Sequence, residues 1–291
     1  ELRPRMTFTS VLGTVGYGFS DGRPTGALTW RWDGPEARVD VTAYRVVHDA
    51  EPWTGGSSFG GSLSALFAGH DDADYHLATG GGLEFTANTG LLADTRMGVF
   101  LERHRSMTTV AGSAVNDALG GDGVLPPNPP VVAGTYLRLG ASRRDRLGAV
   151  ELREGGNLLV GEGRAGARFW GTAAVPWVMF GRRAALSLSA GGSAGEALPQ
   201  LAFRVGGPRT IRGYPYGQRT ARTLWAAQFD YELRKRGALT PVVFADIGDS
   251  FSSRDPLVSV GAGLSVLGGL VRFDVAKGIH PAVRPRFGLS F

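Results

Sequence analysis

Several stretches of this sequence carry residue types that could do chemistry. Gly191-Gly192-Ser193-Ala194-Gly195 has the Gly-x-Ser-x-Gly spacing that lifts a serine nucleophile on a strand-to-helix elbow, beside a placed histidine and acid. Gly161-Glu162-Gly163-Arg164-Ala165-Gly166 has the spacing of a dinucleotide-cradling loop, which works only where it opens a helix. Neither motif is followed by a helical period. The five histidines, His48, His70, His76, His104 and His280, are scattered and show no metal-ligand spacing. Asp71, Asp72 and Asp74 could attract a cation, or could form an acidic hairpin tip. Cysteine is absent, which excludes thiolate metal sites, cysteine nucleophiles and disulfides. The expectation is therefore no enzyme, with no catalytic, cofactor-binding or metal-ligating residues and no cofactor. What remains is charge chemistry between arginines and carboxylates, and it depends on which elements bring them together.

Those elements read as strands. Apolar and polar residues alternate along most of the chain, and turn residues separate the runs. Trp225, Ala227, Phe229, Tyr231 and Leu233 oppose Gln228, Asp230, Glu232 and Arg234. Met97, Val99 and Leu101 oppose Arg96, Gly98 and Glu102. Phe287, Leu289 and Phe291 oppose Arg286, Gly288 and Ser290. The strands fall near 5–19, 25–33, 36–48, 59–69, 74–88, 92–105, 132–145, 156–164, 166–179, 182–192, 220–234, 241–251, 257–267, 269–277 and 284–291, fifteen in all. Long loops are expected over 106–130 and 193–219. Isolated charges and glycine on one face, with Val, Leu, Phe and Trp on the other, suit a sheet between a wet lumen and lipid. The fold class is all-β, a transmembrane antiparallel β-barrel, expected as a single domain over 1–291. A soluble sandwich or propeller accounts for the polar face less well.

Composition agrees. Glycine, at 45 residues, is about twice its average share. No apolar run approaches the roughly 20 residues of a membrane-spanning helix. The opening Glu1-Leu2-Arg3-Pro4-Arg5 has no apolar core after it, and the expectation is that a signal was removed or the chain was cut from a longer precursor. The net charge of +5 comes almost wholly from arginine, lysine being limited to Lys235 and Lys277. With no basic helix or zinc site, luminal arginines paired with carboxylates explain it better than a nucleic-acid partner.

The segment Phe203-Arg204-Val205-Gly206-Gly207-Pro208-Arg209-Thr210-Ile211-Arg212-Gly213-Tyr214 resembles the signature of the BamA, TamA and FhaC group of outer-membrane insertases and polypeptide transporters. The tetrad is Ile211-Arg212-Gly213-Tyr214, and the group's second signature reads Phe244-Ala245-Asp246-Ile247-Gly248. The likeness covers about residues 200 to 291 directly. It implies sixteen strands, the missing one lying upstream of Glu1, near Ala149 to Arg153, or within 5–19. It also implies that loop 193–219 folds into the lumen, where Arg212, Gly213 and Tyr214 meet Phe244, Asp246 and Gly248. Asp230 and Glu232 share that luminal face and could widen the ionic cluster. A seam is implied where the first strand meets the last, at Phe287, Gly288, Leu289 and Phe291. The periplasmic repeats usual in the group are absent from this chain.

The function expected from this likeness is insertion of outer-membrane proteins or translocation of a polypeptide, in the outer membrane of a Gram-negative bacterium. Its partners would be membrane lipids and a polypeptide client, or a periplasmic or secreted protein. The alternative is a barrel that anchors, or serves as conduit for, a separate subunit or passenger domain.

Overall fold

The computed structural model describes residues 7–18, 23–50, 73–107, 130–234, 237–266 and 271–290. The described residues form sixteen strands: β1 (Phe8–Gly18), β2 (Arg23–Asp33), β3 (Ala37–Asp49), β4 (Tyr75–Ala87), β5 (Thr95–Ser106), β6 (Gly134–Leu147), β7 (Val150–Gly161), β8 (Arg164–Met179), β9 (Arg182–Gly195), β10 (Phe203–Val205), β11 (Arg219–Ala221), β12 (Thr223–Glu232), β13 (Leu239–Asp249), β14 (Leu257–Val266), β15 (Val271–His280) and β16 (Arg286–Ser290). Fourteen form one antiparallel sheet, each paired with its neighbour in chain order, and β10 and β11 form a separate two-stranded ribbon.

The period-two pattern sets the two faces. On β5, Met97, Val99 and Leu101 are exposed outward. Between them Phe100 stacks under Arg138, and Glu102 is buried. Leu83 and Phe85 on β4, and Leu137 and Leu139 on β6, extend the same outer apolar surface. Because the outer face is apolar and the inner face charged, the sheet presents the two environments of a transmembrane barrel wall.

Tight turns at one end join β2 to β3, β6 to β7 and β8 to β9. At Phe180-Gly181 both residues take positive φ, the hairpin turn whose twist matches the flanking strands. At the other end run the long connections between β3 and β4, β5 and β6, and β9 and β12.

The 196–222 connection folds inward and makes the core. Its Phe203, Val205, Ile211 and Tyr214 pack with Leu224 and Ala226 of β12 and Leu257 of β14. Its Leu198 and Leu201 pack on Tyr136 of β6 and Leu159 of β7. One loop therefore reaches the residue just before β4 through Arg204 and Asp74, β6 and β7 here, and β13 through Arg212 and Asp246. A sheet that meets one loop from strands so far apart in its order must curl around it.

The sequence reading needs adjustment in three places. Sixteen strands are expected in the wall; the described residues hold fourteen there and two more in the loop ribbon. The expected strand near 59–69 lies outside the described residues, as does most of 106–130, and β3 pairs directly with β4. Ala149 to Arg153 holds no extra strand, because β7 starts at Val150 and continues its ladder with β6 through Leu147. The infolded loop starts three residues later than 193, since Gly195 still pairs with Gly166.

Candidate functional site

Arg212 meets two carboxylates in the lumen. Its backbone N–H donates to Asp246 Oδ2 at 2.8 Å, its Nε to the same oxygen at 2.9 Å, and its Nη2 to Oδ1 at 2.6 Å. Its Nη1 donates to Asp230 Oδ1 at 2.8 Å. Two parallel guanidinium bonds to one carboxylate give direction as well as strength. The guanidinium lies 3.9 Å from the centre of the Phe244 ring, a cation–π contact within a protected site. Burial works against its charge, but the bonds and charges of Asp246 and then Asp230 outweigh it, holding the Arg212 pKa above arginine's usual value.

Strand geometry places the wall side of this contact. Phe244, Asp246 and Gly248 are buried on β13, while Val243, Ala245 and Ile247, which alternate with them, are exposed outward. A Cβ on Gly248 would come within 2.8 Å of Ile211 Cδ1, so the bare glycine lets the tetrad lie flat against the wall. Gly213 turns the loop at φ +88°, a conformation other residues adopt only with strain. A Cβ at Gly213 would also stand 3.0 Å from the backbone of Lys277 and Gly278. Tyr214 is buried next to it, and its hydroxyl lies 2.7 Å from the His280 carbonyl, 2.9 Å from that of Pro281 and 3.0 Å from that of Val258. It donates its one proton within this set of carbonyls, and burial raises its pKa.

Of the two carboxylates expected to widen the cluster, only Asp230 does. The register pairs Gln228 with Asp246, Asp230 with Phe244 and Glu232 with Val242. Glu232 thus lies one luminal step beyond Asp230, about 7 Å along the strand, out of the arginine's reach. Among the described residues it joins none of these pairs. Instead Arg272 of β15 completes the cluster, with Nη2 2.7 Å from Asp230 Oδ1 and Nε donating to Asp274 Oδ1 at 2.8 Å. The Arg272 contact to Asp230 is a charge contact without hydrogen-bond alignment.

Further ties were not singled out from sequence. Arg204 of β10 pairs with Asp74, the residue read as part of an acidic tip. Arg219 of β11 pairs with Asp249. A second knot centres on Glu102, which accepts from Arg138 Nε at 2.7 Å and from the Tyr44 hydroxyl, and lies 2.9 Å from His104 Nε2. Alternation marked Glu102 as luminal, but nothing in the sequence signals its partners. The Gly191 to Gly195 stretch lies on β9, where the Ser193 hydroxyl donates to the Arg222 carbonyl at 3.1 Å.

At the last strand, Phe287, Gly288 and Leu289 lie opposite Val275, Asp274 and Phe273. Phe287 is exposed outward, and Phe291 lies outside the described residues. β16 has five residues against ten in β15, and among the described residues no ladder joins it to β1.

No protein-family model matches the sequence, and no curated protein matches it. Among solved structures the chain is similar to CdiB from Acinetobacter baumannii, at 12% identity and a TM-score of 0.52, over 97% of this chain and 53% of that one. It is also similar to BamA from Haemophilus ducreyi lacking POTRA domains 1–3, at 9% identity and a TM-score of 0.56, over 97% of this chain and 69% of that one. The chain spans about half the CdiB chain. At these identities the likeness is one of fold: an all-β barrel of the BamA type.

Proposed function

We propose that this chain is an outer-membrane barrel that assists insertion of outer-membrane proteins or translocation of a polypeptide. The observation that carries the reading is the contact of Arg212, within Ile211-Arg212-Gly213-Tyr214, with Asp246, within Phe244-Ala245-Asp246-Ile247-Gly248. Both segments resemble the signatures of the insertase and transporter group, and the fold is that of a BamA-type barrel. In this reading Arg212 locks the loop to the wall and the protein does no bond chemistry of its own. The membrane setting is supported by the apolar outer surface.

Work on a client would fall to the strand pair β1 and β16. An unpaired strand edge offers backbone donors and acceptors to an incoming strand. Among the described residues β16 pairs with β15 over only five positions, the shortest ladder in the wall, so its last strand has the fewest bonds to lose. The test is photocrosslinking from position 287 in membranes that are making outer-membrane proteins. Crosslinks to nascent barrel proteins or to one secreted polypeptide support the proposal. A single stoichiometric folded subunit instead would favour the anchor reading. No crosslinked polypeptide, with unaltered assembly and secretion in an Arg212→Ala strain, would sink both.

A further inference from the structure

We propose that the outer wall of β3 to β6 binds one phosphate-bearing lipid, its headgroup held by Arg45, Arg103 and Arg105 and an acyl chain lying in the groove beneath. This rests on the membrane reading above. Tyr44, Glu102 and His104 make contacts inside the lumen, so the alternating positions Arg45, Arg103 and Arg105 face outward. The ladders place Arg45 opposite Thr79, and Thr79 opposite Arg103. Two strand spacings separate Arg45 from Arg103, about 10 Å, and Arg105 is the next outward residue on the same strand. Side chains as long as arginine's can converge from there on one phosphorylated headgroup, whose oxygens match the guanidinium fork.

Three like charges stand together beside an apolar surface. Among the described residues none of the three has an ion-pair partner, and the Arg45 Nε is buried with no hydrogen-bond partner. Glu162, beyond Thr135 in the register, is engaged elsewhere: its Oε1 accepts the N–H of Thr135, the residue opposite Arg103. An anion from outside the chain would answer this charge.

The surface below says which kind of anion. Continuing down β5 from Arg105 and Arg103, the outward residues are Leu101, Val99 and Met97. Met97 and Val99 line an open groove of about 600 Å³ with Leu83, Leu139 and Leu158, floored by the small Ala141. Its upper wall starts about 13 Å below Arg103, four strand residues away. A charged head above an apolar trough fits a lipid; an acidic protein surface would leave the trough uncovered.

The test uses the whole chain in phosphatidylcholine nanodiscs carrying a minor share of diphosphorylated lipid A, with retained lipid counted by native mass spectrometry. The wild type and an Arg254→Gln control should retain the phosphorylated lipid. The Arg45→Gln/Arg103→Gln/Arg105→Gln variant should lose about tenfold or more, as should Ala141→Trp, which fills the groove and leaves every charge in place. Equal retention by all variants overturns the lipid site alone. So does equal retention of dephosphorylated lipid A, or displacement of the lipid by inorganic phosphate at matched concentration. Failure of the wild type to insert into nanodiscs overturns both this site and the membrane reading.

Discussion

Two arginines in the lumen do similar things in different places. Arg212 is bound by Asp246 and stacks on Phe244 at 3.9 Å, and Arg138 is bound by Glu102 and stacks on Phe100 at 4.0 Å. In each the guanidinium has a carboxylate partner and an aromatic face. The difference lies in what they join. Arg138, Glu102 and Tyr44 stand on β6, β5 and β3, so that knot ties wall to wall. Arg212 stands in the loop, and its contact ties loop to wall, with a backbone N–H as third donor. A shared motif of charge and ring can therefore stiffen the sheet in one half and position an infolded loop in the other.

The contrast is sharpest when Asp246 is removed. Asp246→Ala leaves Arg212 buried with half its partners, which costs about 3–5 kcal/mol. Hydrogen exchange should rise across 203–221 and leave β3 to β6 unchanged. Equal loss of protection in both regions would mean that the contact supports the wall and not the loop.

Glu102→Ala is the reciprocal change. It strands Arg138, which is more exposed than Arg212, so the expected cost is lower, about 2–3 kcal/mol. Exchange should rise in β3, β5 and β6 while the loop keeps its protection.

Tyr214→Phe tests the other anchor of the loop. It removes one hydrogen bond from a buried hydroxyl and should cost about 1 kcal/mol, read as a modest fall in the denaturation midpoint. The smallest effect is expected at Glu232→Gln, within about 0.5 kcal/mol, because Glu232 lies beyond the cluster. A larger shift there would place Glu232 in an interaction that the strand register does not provide.

Much of the wall could be read in the sequence because a strand's period of two is local. Alternation on 92–105 and 220–234 is enough to assign inside and outside without knowing any neighbour. Strand ends were less legible: β7 begins six residues before the expected 156, where Gly155 and Gly156 blur the alternation. Arg212 and Asp246 could be picked out only through the resemblance of their two segments, since an arginine in a loop and an aspartate 34 residues later are otherwise unremarked. The Glu102 knot had no such guide; its partner Tyr44 is 58 residues away.

By itself, then, the sequence determined the all-β class, the faces of most strands and the residue types inside the lumen, because each depends on neighbours along the chain. Tertiary structure decided which charges meet. Curling brings Asp74 to Arg204 and Arg272 to Asp230, and register leaves Glu232 one step out of reach. Those outcomes depend on how strands are stacked side by side and where the loop enters, and neither is encoded in the spacing of residues along one strand.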